Sequence, residues 1–288
     1  MDVPILTTAL VERMYGAEID CSVTRLRDLQ AESGNPFGIH IQHFGSATAL
    51  AVCNADVPYL NRVMGLDIAD NRGEDVLDDV LDWYKEHGVA PLFDAVGGIA
   101  SSAVLRRLAE RGFYQSGFTT AVYGCPSSQT YALPPGVTLR IAQEADAELF
   151  GDVYVSGFGF TGSTAAFFKR YIQRQIGYQD RPCYLVFVDE QAAGMGTLYT
   201  RAGIGTLGAA TILPAFRQRG GQLALLRQRI AATAELECDL IVSQTSAGSG
   251  SQRNMERVGL RIAYVKATWI ALHWPKERLA DDLTISSD

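Results

Sequence analysis

The segment best suited to chemistry spans residues 212–226, ILPAFRQRGGQLALL. Its pattern predicts an apolar strand end, a basic loop with two adjacent glycines, and an amphipathic helix. The first amide groups of a helix have no acceptor within it, and the helix dipole adds positive charge there, so a phosphate binds well. Gly220 and Gly221 let the backbone approach such a ligand, and Arg217 and Arg219 add charge. The segment therefore predicts a pyrophosphate site.

The loop itself, Arg217-Gln218-Arg219-Gly220-Gly221-Gln222, is neither a Walker loop nor a GxGxxG dinucleotide motif. It resembles the pyrophosphate loop of the GNAT N-acetyltransferase superfamily, where Arg or Gln precedes Gly by three residues and a second Gly or Ala follows two positions on. Arg217 and Gly220 match, and Gln222 stands where the second small residue is usual. The order of elements over residues 137–272 is similar to that family too. A solvated basic turn before a surface helix is the alternative.

The resemblance implies acetyl-CoA as the acyl donor and no metal. It also implies that the backbone of Thr211, Ile212 and Leu213 pairs with the pantetheine arm as an added strand would, which requires the fourth and fifth strands of the domain to splay apart. A backbone N–H in this strand would stabilise the oxyanion of the thioester carbonyl. Ser251 and Asn254 lie where the family often places a side chain against the arm, and a helix cap explains Ser251 equally well.

The implied reaction also needs a proton for the leaving thiolate. Many members of the superfamily supply it from a tyrosine four residues before the glycine that follows the last helix. Counted from Gly259, that position holds Met255, which cannot donate a proton. Tyr264, on the final strand, is the nearest candidate catalytic residue, with cross-strand packing as its alternative role. No side chain stands out as the general base. Glu190 lies in a turn, where a solvated charge is expected, and a chain of water molecules could take the proton instead.

The elements that position these residues follow from hydrophobic periodicity. In the C-terminal half, the pattern predicts strands over 137–141, 183–188, 194–200, 204–213, 240–243 and 260–272, and helices over 144–157, 165–176, 223–236 and 251–258. The polar turn Asp189-Glu190-Gln191 predicts a hairpin. A mixed α/β fold follows.

The N-terminal half gives a fainter version of the same outline. It predicts helices over 6–18, 22–30 and 74–87, and strands over 38–43, 47–53 and 91–96. Residues 108–123 echo residues 255–270, each a helix end, a glycine and an alternating strand. The proline-rich and serine-rich stretch 125–136 separates the halves. We expect two GNAT-like domains, 1–125 and 137–288, each a mostly antiparallel twisted sheet flanked by helices.

The N-terminal half lacks the pyrophosphate loop, because residues 97–101 precede a helix without any arginine. We therefore expect a degenerate copy that does not bind CoA and that continues the sheet or walls off the acceptor side. The acceptor pocket of the resembled fold is shaped by the first two helices of its domain. That region is rich in aromatic side chains, which predict either an aromatic-lined mouth or ordinary core packing: Phe158, Phe160, Phe167, Phe168 and Tyr171.

Composition narrows the class of protein. The 25 Lys and Arg residues against 32 Asp and Glu give a formal charge of −7, which argues against nucleic acid or an anionic membrane as partner. No run of about 18 apolar residues exists, so no membrane span is predicted. The five cysteines lie far apart without CxxC pairs, which argues against a zinc site and for reduced thiols in a cytoplasmic protein.

Together these patterns predict a cytoplasmic acyltransferase, with its acyl-CoA site in the C-terminal half only. It would move acetyl to the amine of a small molecule or a peptide terminus by direct attack. Because Met255 replaces the usual tyrosine, a non-catalytic acyl-CoA-binding or sensing protein is the alternative. A purely structural role is a third reading, and the oligomeric state stays open.

Overall fold

A computed structural model describes residues 3–68 and 72–274 of the chain. Within these residues the helices are α1 (Thr8–Gln30), α2 (Leu77–Glu86), α3 (Ser102–Glu110), α4 (Ala147–Phe158), α5 (Gly162–Gln173), α6 (Gly221–Glu235) and α7 (Gly250–Arg257). The strands are β1 (Ile39–Phe44), β2 (Ala47–Val52), β3 (Arg62–Met64), β4 (Leu92–Val96), β5 (Phe113–Gly124), β6 (Val137–Ile141), β7 (Cys183–Val188), β8 (Gln191–Arg201), β9 (Ile204–Ile212), β10 (Leu240–Thr245) and β11 (Arg261–Ala271).

All these strands form one sheet in the order β1-β2-β3-β4-β11-β5-β10-β9-β8-β7-β6. Among the described strands, only β3 with β4 and β9 with β10 run parallel, and every other neighbouring pair is antiparallel. Each parallel pair is joined through a helix, as parallel strands require. The predicted mixed α/β class with mostly antiparallel strands is confirmed.

The last strand of each half crosses into the sheet of the other half. β11 lies between β4 and β5, and β5 lies between β11 and β10. The two echoing segments fold as α3 with β5 and α7 with β11, and their strands pair antiparallel from Tyr123 with Arg261 to Phe113 with Ala271. The sheet is therefore continuous through both halves, and the division into 1–125 and 137–288 stays a prediction about folding units.

Helices cover both faces of the sheet. α1, α4 and α5 pack on one face over a single core that draws on both halves, with Met14, Leu29, Phe150 and Leu185 fully buried in it. On the other face, α6 and α7 cover the C-terminal half and α2 and α3 cover the N-terminal half, each pair over its own core. The long helix α1 thus contributes to the same layer as two helices of the C-terminal half.

Two differences from the predicted elements have physical causes. The two helices expected over 6–18 and 22–30 are one helix, α1, because Ile19, Asp20 and Cys21 include no glycine or proline that would end it. Strand β3 was not predicted, since three residues are too short for an alternating pattern to show. In the C-terminal half, β6 and β7 have the predicted bounds.

None of the helices described in residues 3–68 and 72–274 is long and apolar enough to cross a bilayer. Within the same residues, no group of three or more His, Cys, Asp or Glu side chains is placed to hold a metal ion.

Candidate functional site

The segment between β9 and α6 folds as a tight loop. A short 3₁₀ turn, Pro214–Phe216, follows β9. Gly220 then has a φ of 80°, which glycine adopts without strain, and α6 begins at Gly221. A Cβ atom on Gly220 would lie 2.7 Å from Cγ of Pro134, so a larger residue would force the loop to move. The glycine pair therefore sets the position of the first turn of α6, whose amide groups have no acceptor within the helix.

A cleft of about 770 Å³ opens beside this loop and is here called the loop cleft. Arg217, Arg253 and Arg257 line it, and no aspartate or glutamate of the described chain does. The first residues of α6 and α7, Gly221 and Gly250, lie on its wall, so two helix N-termini face the cleft. Positive charge without a carboxylate, together with two sets of free amide groups, suits a ligand that carries several phosphate oxygens.

A chain of hydrogen bonds ties α6 to α7 at the mouth of the loop cleft. Arg257 Nη1 donates to Asn254 Oδ1 at 2.7 Å, and Asn254 Nδ2 donates to Gln222 Oε1 at 3.0 Å. Arg217 Nε donates to the Ile212 carbonyl oxygen at 3.2 Å, which holds that side chain at the end of β9. The glutamine that departs from the family pattern thus links the first turn of α6 to α7.

The structure brings together most of the residues predicted to bind the acyl-CoA cofactor. The loop cleft is lined by Ile212, Arg217, Gln218, Gly220, Gly221, Gln222 and Asn254. Arg219 does not line it, because its Nη2 atom pairs with Asp189 Oδ2 at 2.8 Å in the β7–β8 hairpin. Arg253 and Arg257 were missed by the sequence analysis. Their signal was two arginines four residues apart on the helix after β10, which places both on one face.

The parallel strands β9 and β10 splay apart, as the resemblance implied. They pair only from Ile204 with Leu240 to Leu207 with Ser243, beyond which β9 pairs with β8 and β10 with β5. Leu207 pairs with Leu198 and Ala210 pairs with Gly196, so two residues of β9 lie between these pairs where β8 has only one. β9 therefore has a bulge at residues 208–209. A bulge and a splay together leave backbone groups of β9 free to bond a ligand.

A second cleft, of about 460 Å³, lies at this splay and is here called the central cleft. Leu226 and Met255 line it from the α6–α7 face of the sheet, and Arg25 and Tyr171 line it from the α1–α5 face. Gln222 lines both clefts, which are therefore adjacent. Together they form a passage from the arginine-lined loop, between two separating strands, to the opposite face of the sheet.

The predicted backbone pairing with the pantetheine arm was placed at Thr211, Ile212 and Leu213. Leu213 N–H donates to the Ala193 carbonyl oxygen at 2.8 Å, and the Thr211 side chain packs against Gly157. Neither Thr211 nor Leu213 lines a cleft, and Ile212 lines the loop cleft only. Residues 208–210 line the central cleft instead. The bulge interrupts the pairing of β9 with β8 at residues 208–209, a few residues before the positions that the resemblance suggested.

The geometry of α7 shows that Ser251 is not a helix cap. The N-cap is Ser249, whose Oγ accepts a hydrogen bond from the Gln252 N–H at 3.1 Å. Ser251 is therefore not the cap, and it lines the central cleft. Asn254, on the same helix, lines the loop cleft. The two residues stand on either side of the junction between the clefts.

Tyr264 lies on the final strand, as the sequence analysis placed it, but away from both clefts. It is 5% exposed, packs edge-on against Tyr15 with 6.4 Å between ring centroids, and lines neither cleft. Burial, with the nearby charges of Glu18 and Asp94, raises the pKa of its hydroxyl. Its position in β11 removes it from the splay, because β11 pairs with β4 and β5 and not with β10. Tyr171, from α5, lines the central cleft.

The aromatic residues divide between the two predicted roles. Phe167 and Phe168 are fully buried core residues. Phe158 is 44% exposed, stacks on Phe160 with 5.9 Å between centroids, and lines the central cleft with Tyr171. The mouth is therefore aromatic on one side, and most of the cluster is the support beneath it.

In the N-terminal half, a carboxyl group lies at the start of α3, the helix that corresponds to α7. Asp67, 2% exposed, accepts hydrogen bonds from the Gly73 N–H at 2.8 Å and the Ser101 N–H at 2.7 Å. Ser101 is the N-cap of α3. A buried carboxyl group of the chain thus lies at the N-terminus of α3.

No protein-family model matches the sequence, and no curated protein matches it. Solved structures are similar over most of their length. A GCN5-related N-acetyltransferase from Kribbella flavida has a TM-score of 0.67 at 13% identity, over 91% of this chain and 96% of that one. A tandem GNAT protein from the clavulanic acid biosynthesis pathway has a TM-score of 0.57 at 15% identity, over 91% of this chain and 98% of that one. A GCN5-related N-acetyltransferase from Sphaerobacter thermophilus has a TM-score of 0.55 at 14% identity, over 93% of this chain and 94% of that one.

Proposed function

We propose that this chain, which has the tandem GNAT fold, transfers acetyl from acetyl-CoA to the amine of a small molecule or a peptide terminus. The observation that carries the proposal is the passage formed by the two clefts. It begins among Arg217, Arg253 and Arg257, runs between the splayed strands β9 and β10, and ends on the face covered by α1. An acyl donor with a charged diphosphate and a long narrow arm fits this shape and charge.

The chain's own residues divide the work of holding the donor. Arginines of the loop cleft and the free amides of α6 and α7 would hold the diphosphate. The backbone of residues 208–210 would pair with the arm and donate to the thioester carbonyl oxygen. Acetyl-CoA supplies a thioester whose carbonyl carbon an amine attacks. The C–N bond forms as the C–S bond breaks, and the amine gives up one proton while the thiolate gains one.

Tyr171 replaces Tyr264 as the proposed proton donor. Burial raises the pKa of the Tyr171 hydroxyl, so it carries its proton at neutral pH. It lines the central cleft, whereas Tyr264 does not. Tyr171→Phe should lower kcat while leaving the Kd for acetyl-CoA unchanged, and Tyr264→Phe should change neither.

A non-catalytic acyl-CoA-binding protein is the second candidate. It is favoured by Met255, which lines the central cleft and has no proton to give. Release of the CoA thiol in the presence of amines supports the enzyme. Tight acetyl-CoA binding without release under any amine supports the sensor.

The binding site is tested by charge reversal in the loop cleft. Arg253→Glu and Arg257→Glu should each weaken acetyl-CoA binding in calorimetry by at least about 10-fold, because each removes a charge-assisted hydrogen bond and adds repulsion. Arg219→Glu is the matched control, since Arg219 lies in the same loop but pairs with Asp189 outside the cleft. Equal effects of all three changes would contradict the proposed site.

We propose a cytoplasmic location as part of the same function. The five cysteines, Cys21, Cys53, Cys125, Cys183 and Cys238, form no disulfide in the structure, which suits a reducing compartment.

A further inference from the structure

The wall of the central cleft on the acceptor side is built by the N-terminal half. Glu18, Cys21, Ser22 and Arg25 of α1 all line it, and their spacing of three, four and seven residues is that of one helix face. α1 therefore supplies side chains to a site whose loop and splayed strands belong to the C-terminal half.

Arg25 is a half-buried cation in the lining of the central cleft. Its Nη2 atom donates to Thr197 Oγ1 at 3.1 Å, and its guanidinium lies beside the Tyr171 hydroxyl. Among the described residues no carboxylate pairs with it, although other arginines at the boundary between the halves have one, as Arg181 has Asp28 and Arg13 has Asp239. A guanidinium has five N–H donors, and a partly buried charge is costly unless it is paired.

A second arginine approaches the same point from the other face of the sheet. Arg229 is 2% exposed and lines the central cleft from α6. Its Nη1 atom donates to the carbonyl oxygens of Thr197 at 3.1 Å and Gly208 at 3.4 Å, while its buried Nε has no hydrogen-bond partner. Burial lowers the pKa of Arg229 to about 10. Two guanidiniums thus converge on Thr197 and Gly208.

Little negative charge lies in this cleft to balance them. Glu18 is the one acidic residue of the described chain that lines it, and its Oε1 atom already accepts from Lys266. Arg62, the third arginine of the lining, pairs with Asp94. The cleft is therefore electropositive beside the β9 bulge, where the acyl group would lie.

We propose that the acceptor amine carries a carboxylate, which Arg25 binds. This rests on the proposed function and narrows its substrate to small amino acids with a free carboxylate. Arg25 contacts Gly208 so closely that a Cβ atom there would overlap its guanidinium, so the carboxylate would lie within a few bonds of the attacking nitrogen. The volume of about 460 Å³, shared with the donor arm, leaves room for a small acceptor only.

The test compares free amino acids with their carboxamides as acceptors, measured by CoA thiol release. The wild-type protein should favour the best carboxylate over its carboxamide by at least about 10-fold in kcat/KM. Arg25→Met should bring this ratio close to one by lowering kcat/KM for the carboxylate acceptor only. Arg25→Lys should restore part of the preference. Arg27→Met is the matched control, because Arg27 is exposed on the same helix two residues away.

Three outcomes separate the inference from the proposed function. Equal use of carboxylates and carboxamides by the wild-type protein overturns the inference alone. An equal fall in kcat/KM with every acceptor in Arg25→Met also overturns the inference, since Arg25 would then act on the donor or on the fold. If no amine releases CoA, the proposed function fails. Thermal melting then decides the inference, because free amino acids, and not their carboxamides, should raise the Tm of the wild-type protein and not that of Arg25→Met.

Discussion

Glu18 and Lys266, 248 residues apart in the chain, form an ion pair whose side chains are 7% and 1% exposed. Asp94 lies 3.2 Å from the same ammonium group and pairs in turn with Arg62. The four charges come from α1, β3, β4 and β11. The pair therefore links the last strand of the C-terminal half to the first helix of the N-terminal half.

Breaking this pair should be costly. Lys266→Met leaves two buried carboxylates with less compensation, so we expect a loss of about 3–5 kcal/mol in the free energy of unfolding. Urea denaturation measures it. Glu18→Gln with Lys266→Met should lose less than Lys266→Met alone, because no uncompensated charge from the pair remains. If the double variant loses as much unfolding free energy as the two single variants, Glu18→Gln and Lys266→Met, lose together, the two groups do not interact.

Periodicity predicted most elements because it depends on neighbouring residues. The turn Asp189-Glu190, with φ of 49° and 65° at its two residues, is a hairpin turn readable from its polar residues. The exchange of β5 and β11 could not be predicted in this way. Both strands have the alternation of any half-buried strand, and which neighbour each one chooses depends on the packing of whole layers.

The site was predictable to the same extent. The loop at 217–222 and the helix that follows are local in sequence, so its glycines and Arg217 were found. Arg25 and Gly208 meet only because α1 crosses from one half onto the sheet of the other. No spacing rule joins residues so far apart. The sequence therefore pointed to Phe158, Tyr171 and Ser251 of the central cleft but not to the α1 residues that line its other side.

Gly208 should tolerate no side chain. A Cβ atom there would overlap Arg25 Nη2 and Thr197 Oγ1, so Gly208→Ala would push Arg25 out of place. We expect kcat/KM to fall by at least about 10-fold, the equivalent of a strain of about 1–3 kcal/mol at the site. Gly117→Ala, in β5, is the control, since nothing lies within 4 Å of the added atom. Steady-state kinetics measures the effect. A Gly208→Ala variant with wild-type kcat/KM would contradict the close contact between Gly208 and Arg25.

Acid should weaken the start of the C-terminal half through Asp146. Arg140 donates to both of its carboxylate oxygens, at 2.6 and 2.7 Å, and with the Gln143 N–H lowers the pKa of Asp146 from 3.8 to about 2. Because the folded-state pKa lies below the unfolded value, this contribution to stability is complete above about pH 4 and is lost as the pH falls towards about 2.

Asp146→Asn should therefore be less stable than the wild-type protein at pH 6, and the difference should shrink as the pH falls from about 4 to about 2. Urea unfolding at a series of pH values measures the difference. Arg140→Ala removes the main cause of the lowered pKa and should reduce the same pH dependence. A difference between the proteins that is constant from pH 6 to pH 2 would contradict the role of Asp146.

The exchanged strands predict how the two halves depend on each other. In a fragment spanning residues 137–288, β11 would lose both of its neighbours, β4 and β5, and β10 would lose β5. Lys266 would be left without Glu18 and Asp94. Exposed strand edges favour aggregation, so we expect the fragment to be insoluble or to unfold without a cooperative transition.

Co-expression with residues 1–136 should restore a soluble complex of the two pieces, because each then regains the strand that the other supplies. Size-exclusion chromatography and thermal melting measure both results. A monomeric fragment 137–288 that melts cooperatively would show that the C-terminal half folds by itself. If it also released CoA as fast as the full chain, then α1 and its Arg25 would have no part in the site.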